Sequence, residues 1–306
     1  MIFTMLQSDQ NRERYLNLLK KSLTNFFHID CEYSHYANAM PLEWVLPEPE
    51  NKDLSLKQRT ILKLKYFCRA LLIWVFGKFG LLITRSDSLT DFQRLSKRLL
   101  GHDWPPYATT MVGIKRLDNL QFIIETIIKE KVDGDFVEAG VWRGGASIFM
   151  RGVLKAHDIT DRCIWLCDSF EGIPKPEPDK YPEDKGDNLY SYNILAVSME
   201  NVKANFKKYD LLDDNVSFVK GYFKNTLSDL PVDRFSLLRL DGDLYESTQD
   251  SLTALYHKLS LRGFVIIDDY SLPPCRSAVH DFREVNEIEE KIIDIEGGAA
   301  YWQKLK

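Results

Sequence analysis

Two short acidic runs, Asp241-Gly242-Asp243 in RLDGDLYEST and Asp268-Asp269 in FVIIDDY, stand directly after apolar stretches. Carboxylates that leave a core together raise one another's pKa and repel unless a proton or a cation is shared. Between the two runs lies a helical segment of about four turns, long enough for a parallel crossover that sets adjacent strand ends at one edge of a sheet. The spacing therefore predicts that Asp241, Asp268 and Asp269 converge on a hard divalent ion with oxygen ligands, Mg²⁺ ahead of Ca²⁺ or Mn²⁺. Asp243, with Glu246 three residues further on, reads as a cap for the following helix. His280 follows soon after the acidic pair and could approach the same place, whereas His257 sits at helical spacing as a packing or surface residue.

A second constellation is FVEAGVWRGGAS, residues 136 to 147. Its glycines at 140, 144 and 145 permit a tight strand-to-helix turn and close approach of a ligand to the backbone. The spacing is not G-x-G-x-x-G, and Glu138 precedes the first glycine, so a pyrophosphate gains little here. A cationic ligand does better. Glu138 favours the amino group or sulfonium of S-adenosylmethionine, while the carboxylate of that molecule meets the helix N-terminus and the Ser147 hydroxyl. Asp168 ends the next strand, where an acid accepts both ribose hydroxyls. That use suits a nicotinamide and an adenosyl cofactor equally.

The elements that must position these residues change character along the chain. Residues 1–100 read as an N-terminal helical extension without strand pattern, RYLNLLKKSL and LTDFQRLSKRLL being amphipathic and MPLEWVLPEPENKD a proline-rich acidic link. Residues 101–306 alternate helices with short apolar strands, the pattern of an α/β fold with a doubly wound, Rossmann-like parallel sheet. Strands are expected at GDFVEAG, CIWLCDSF, NVSFVKG, FSLLRLDG and GFVIIDDY, with no strand assigned to the terminal GGAAYWQKLK. A long polar loop, EGIPKPEPDKYPEDKGDNLYS, is expected to close over an acceptor from Gly172 to Tyr190.

Composition narrows the function classes. A net charge of −5 provides no global field for nucleic acid, and 44% hydrophobic residues suffice for a packed core. The five cysteines are odd in number and lack C-x-x-C spacing, usage that fits a reducing cytoplasm. The N-terminal apolar run is too short for a secretory signal. Residues 66–83, YFCRALLIWVFGKFGLLI, carry Arg69 and Lys78 and so read as a buried or homodimer-forming helix, or one that makes peripheral membrane contact, rather than as a span. Two readings of other classes are a nicotinamide-dependent oxidoreductase, which the missing dinucleotide fingerprint disfavours, and a membrane-attached non-catalytic scaffold working through residues 66–83.

Taken together, RYLNLLKKSLTN, TTMVGIKRLDNLQ, FVEAGVWRGGAS, DSFEGIP, VSMENVKANF, VKGYFKNTL, RLDGDLYEST and FVIIDDY resemble the macrocin O-methyltransferase (TylF-type) family over about residues 12–30 and 103–302. The resemblance implies a class I methyltransferase sheet, S-adenosylmethionine and Mg²⁺ as cofactors, and methylation of a sugar hydroxyl on a glycosylated natural product or surface glycan. It implies cofactor contacts from Thr110, Met111, Glu138, Gly140, Ser147, Asp168, Ser169 and Phe223, metal ligation by Asp241, Asp268 and Asp269, and Asp241 as general base. Residues 31–100 do not align with the pattern, and His280 stands where the family has an acid.

Overall fold

The computed structural model describes residues 2–29, 90–295 and 298–306; the apolar segment 66–83 lies outside the described residues. Helix α1 (Ile2–Leu23) is followed, after the gap, by α2 (Asp91–Leu100), α3 (Ile114–Glu130) and strand β1 (Asp135–Ala139). Then come α4 (Gly145–Ala156), β2 (Ile164–Asp168), α5 (Met199–Lys208), β3 (Val216–Lys220) and the short α6 (Phe223–Thr226). The chain continues through β4 (Phe235–Leu240), α7 (Tyr245–Leu255), β5 (Leu259–Ile267), α8 (Pro273–Val285), β6 (Ile293–Ile295) and β7 (Ala299–Gln303).

The strands form one seven-stranded sheet in the order β3-β2-β1-β4-β5-β7-β6. Strands β1 to β5 are parallel, and β7 runs antiparallel to both β5 and β6. The doubly wound α/β plan is the one expected from the alternation of elements. The terminal pair β6 and β7 was not, because AAYWQ mixes small and aromatic residues without a clean period of two. Its Trp302 is nevertheless fully buried and seals one edge of the core.

Each sheet face is covered because parallel strands buried on both sides are apolar at successive positions. Phe136, Leu237 and Ile266 point to one layer with Leu16, Ile124 and Phe149 from α1, α3 and α4. Val137, Leu238 and Val265 point to the other, with Leu252 and Val279 from α7 and α8. Each such side chain contributes about 1.5–3 kcal/mol by leaving water. Helix α1 thus belongs to the same core as the sheet. The order of strands reverses between β2-β1 and β4, which leaves a crevice beyond the carboxyl ends of β1 and β4. No helix among the described residues is long and apolar enough to cross a membrane.

Candidate active site

Register brings the charged residues together. Glu138 on β1 lies directly beside Arg239 on β4, and Arg239 beside Ile266 on β5. With a period of two, Asp241 and Asp268 then project from the same sheet face one step further toward the carboxyl edge. Arg239 sits between them, 2% exposed. Its Nη1 donates to Glu138 Oε1 at 2.6 Å and to Asp241 Oδ2 at 2.9 Å, and its Nη2 lies 2.7 Å from Asp268 Oδ1. Arg116 of α3 takes the other oxygen of Asp268 at 2.7 Å.

Asp241, Asp243 and Asp269 form a separate cluster, with one carboxylate oxygen from each lying within 4.8 Å of the others. The backbone N–H of Asp243 donates to Asp269 Oδ2 at 3.0 Å. Burial, and then the charges of Asp241, Asp187 and Asp268, push the Asp243 carboxyl up to about 8. Burial raises Asp269 well above its ordinary value, reinforced by Asp243, Asp241 and Asp268. Burial acts upward on Asp268 as well, but Arg239 and Arg116 outweigh it and hold that carboxyl low. The residues thus divide into Asp268, compensated by two guanidiniums, and an acidic cluster whose Asp241 shares Arg239 with it.

Asp243 is not the cap that its spacing suggested. It lies at φ +57°, in the left-handed region, and Asp184 from the long loop takes the capping role instead. The Asp184 carboxylate accepts from the backbone N–H of Tyr245 at 2.7 Å and of Glu246 at 3.1 Å, the first residues of α7. The loop is therefore docked rather than free; it contains short 3₁₀ turns at Pro182–Asp184 and Leu189–Ser191, and a third follows at Asn193–Leu195. Asp184→Ala leaves the α7 N–H groups without this partner and should cost about 1–2 kcal/mol. Thermal unfolding checks the stability, and kinetics with a methyl acceptor should show KM rising more than kcat falls.

A cavity of about 320 Å³ opens at the crevice. Of the residues singled out in the sequence, Thr110, Met111, Glu138, Gly140, Asp168, Ser169, Phe223, Asp241, Asp268 and Asp269 line it. Ser147 does not face it as expected; its hydroxyl donates to Glu138 Oε2 and fixes that carboxylate from below. Burial, opposed by Arg239 and Ser147, brings the Glu138 carboxyl up to about 7. Asp168 accepts from the backbone N–H of Val141 and of Phe170, each at 2.7 Å, so it braces the glycine turn as well as facing the cavity. In that turn Trp142, at φ +47°, donates its indole N–H to the Ile194 carbonyl at 2.8 Å, while Arg143 donates to the carbonyls of Pro105, Pro106 and Ala108. Left-handed backbone at Trp142, Phe170 and Asp243 falls after β1, β2 and β4. Such conformations cost about 1–3 kcal/mol each and are held by surrounding structure at functional sites. His280 stands outside the cavity, exposed on α8 and bonded to the Tyr270 hydroxyl at 3.0 Å.

The family model for macrocin-O-methyltransferase (TylF) matches residues 12–304. The chain belongs to the macrocin O-methyltransferase family. It is an enzyme, an O-methyltransferase. A curated relative from Streptomyces olivaceus, 8-demethyl-8-(2,3-dimethoxy-alpha-L-rhamnosyl)-tetracenomycin-C 4'-O-methyltransferase, is 54% identical over 207 residues, 67% of this chain and 79% of the relative. The demethyldecarbamoylnovobiocin O-methyltransferase of Streptomyces niveus is 51% identical over 208 residues, 67% of this chain and 79% of the relative. Among solved structures, the O-methyltransferase NovP superposes with a TM-score of 0.74 at 39% identity, covering 96% of this chain and 100% of NovP. Within the macrocin O-methyltransferase frame, Arg239 and Arg116 are the site residues that the sequence reading passed over. A signal for the first was present: an arginine amid FSLLRL, two residues before Asp241, is a charge in a buried strand, which needs partners.

Proposed function

We propose that the protein transfers a methyl group from S-adenosylmethionine to a sugar hydroxyl of a glycosylated natural product or surface glycan, with a divalent ion, Mg²⁺ first, in the carboxylate cluster. The observation that carries this reading is the convergence of Asp241, Asp243 and Asp269 at the mouth of a cavity whose other wall is the glycine turn after β1. The donor set suits the ion: carboxylate oxygens, clustered and without a guanidinium for each, are the ligands hard divalent cations take. The cavity suits the donor, because Glu138 and Asp168 provide negative groups for a cation and for ribose hydroxyls, and the relatives' printed names include a rhamnosyl acceptor.

When bound, S-adenosylmethionine supplies a methyl group made electrophilic by positive sulfur, and the ion supplies a Lewis acid that makes the acceptor hydroxyl more acidic. The chain's own residues do the rest. Asp241 and Asp269 belong both to the set expected from the sequence and to the geometric cluster, so they are the residues that would hold the ion. Asp268, the third ligand implied by the family, lines the same cavity and is engaged by two arginines, and Asp243 lies within reach as a further candidate. The base implied by the family is Asp241. A second reading gives the proton to Asp243, because Arg239 already occupies Oδ2 of Asp241, whereas the Asp243 carboxylate accepts no hydrogen bond among the described residues. The docked loop walls the cavity with Ile173, Pro174 and Leu189.

The test is transfer of radiolabelled methyl from S-adenosylmethionine to a panel of glycosides and glycans. Mg²⁺ should support transfer to at least one sugar-bearing acceptor, and excess EDTA should lower it by at least ~10²-fold. Undiminished transfer in EDTA overturns the metal, and labelling confined to acceptors without sugar overturns the substrate class.

A further inference from the structure

We propose that Arg239 is a positioning residue that couples the donor side of the cavity to the carboxylate cluster, an inference that rests on the function proposed above. One nitrogen of this guanidinium, Nη1, serves both Glu138 on β1 and Asp241 just past β4. An Nη carries two hydrogens, so each carboxylate takes one, and neither can move without altering the other's bond. Nη2 lies against Asp268 just past β5, so a single planar group links residues at the ends of three neighbouring strands.

The ends of this chain of contacts are fixed. Ser147 at the start of α4 holds the second oxygen of Glu138, and Arg116 holds the second oxygen of Asp268. Glu138, Ser147 and Arg239 are all within 2% of complete burial, in a core where side chains have few alternative positions. Glu138 is the acid that faces a cationic donor, and Asp241 is the acid that faces the ion and acceptor. A donor that draws on Glu138 therefore changes the hold of Arg239 on Asp241, and an ion that draws on Asp241 changes the hold on Glu138. Coupling of this kind is reciprocal: each ligand shifts the other's affinity by the same factor.

The experiment is calorimetric titration of the full chain with S-adenosylmethionine, with and without saturating Mn²⁺, and of Mn²⁺ with and without S-adenosylmethionine. No acceptor is present, so turnover plays no part. In the unsubstituted protein the two Kd ratios should agree and depart from one by at least ~5-fold. Arg239→Lys keeps the charge but replaces the planar fork with a point ammonium that cannot span three carboxylates. Its ratio should fall within ~2-fold of one while circular dichroism stays unchanged. Should this variant fail to fold, Glu138→Gln, which removes the donor-side charge and keeps the shape, should abolish the ratio in the same way. A ratio as large in the variants as in the unsubstituted protein overturns the inference. So does a purely structural outcome, in which both ligands weaken and the ratio persists. Mn²⁺ binding with no ratio in the unsubstituted protein overturns the coupling alone; absence of Mn²⁺ binding overturns the proposed function and the coupling with it.

Discussion

Asp241→Asn should lower kcat for methyl transfer by at least ~10³-fold while moving the Kd for S-adenosylmethionine, measured without divalent ion, by less than ~3-fold. The asymmetry follows from where the side chain points. Its Oδ2 is bonded to Arg239, and its other polar side-chain contacts are to the acidic cluster. Asparagine keeps the volume and one acceptor for Arg239 but removes the charge. A divalent ion loses one of its anionic ligands, and a hydroxyl loses an acceptor for its proton. Asp243→Asn, measured in parallel, divides the two roles. If Asp243 takes the proton, this variant keeps Mn²⁺ affinity and loses turnover; if it is an ion ligand, both fall together. Single-turnover kinetics with a competent glycoside, and Mn²⁺ titration followed by calorimetry, read the two quantities separately. Wild-type turnover in Asp241→Asn would remove the carboxylate cluster from the reaction.

What could be read in the sequence was whatever depended on position along a strand. Asp241, Asp268 and Asp269 each end an apolar run, so the crossover rule for parallel strands alone brought them to one edge. The distribution of partners among them could not be read that way. It depends on Arg116, which comes from a helix about 150 residues away in sequence, and on the in-register meeting of Glu138 with Arg239 across two strands. Likewise the local pattern Asp243-x-x-Glu246 pointed to a helix cap. The cap came instead from Asp184, because the tight turn at Asp243 swings its carboxylate to the acidic cluster and leaves the α7 N–H groups to the docked loop. Ser147 shows the same limit on a smaller scale. A hydroxyl at a helix N-terminus reads as a ligand contact, yet the acid nine residues earlier on β1 lies within its reach and takes it.

Gly140→Ala should cost about 4 kcal/mol or more and lower the unfolding midpoint by about 10 °C, with donor affinity falling at least ~10-fold. Gly140 follows β1 at φ +93°, and a Cβ built there would overlap the carbonyl oxygen of Asp241. The absence of a side chain is what lets the ends of β1 and β4 lie against each other, with the Asp241 N–H donating to the Ala139 carbonyl at 2.8 Å. Adding a methyl group must push Asp241 away from the cavity mouth, or twist the glycine turn, and either change reaches Glu138 or Asp241. Backbone strain at a positive φ contributes to the cost but does not dominate it, and one comparison separates the two. Gly186 lies at φ +91° in the long loop with nothing within 4 Å of an added Cβ. Gly186→Ala therefore carries the conformational penalty alone, about 1–2 kcal/mol. Differential scanning calorimetry of both variants measures the difference. Equal midpoints would mean that β1 and β4 do not approach at this point, and the close packing of donor turn and acidic cluster would have to be abandoned.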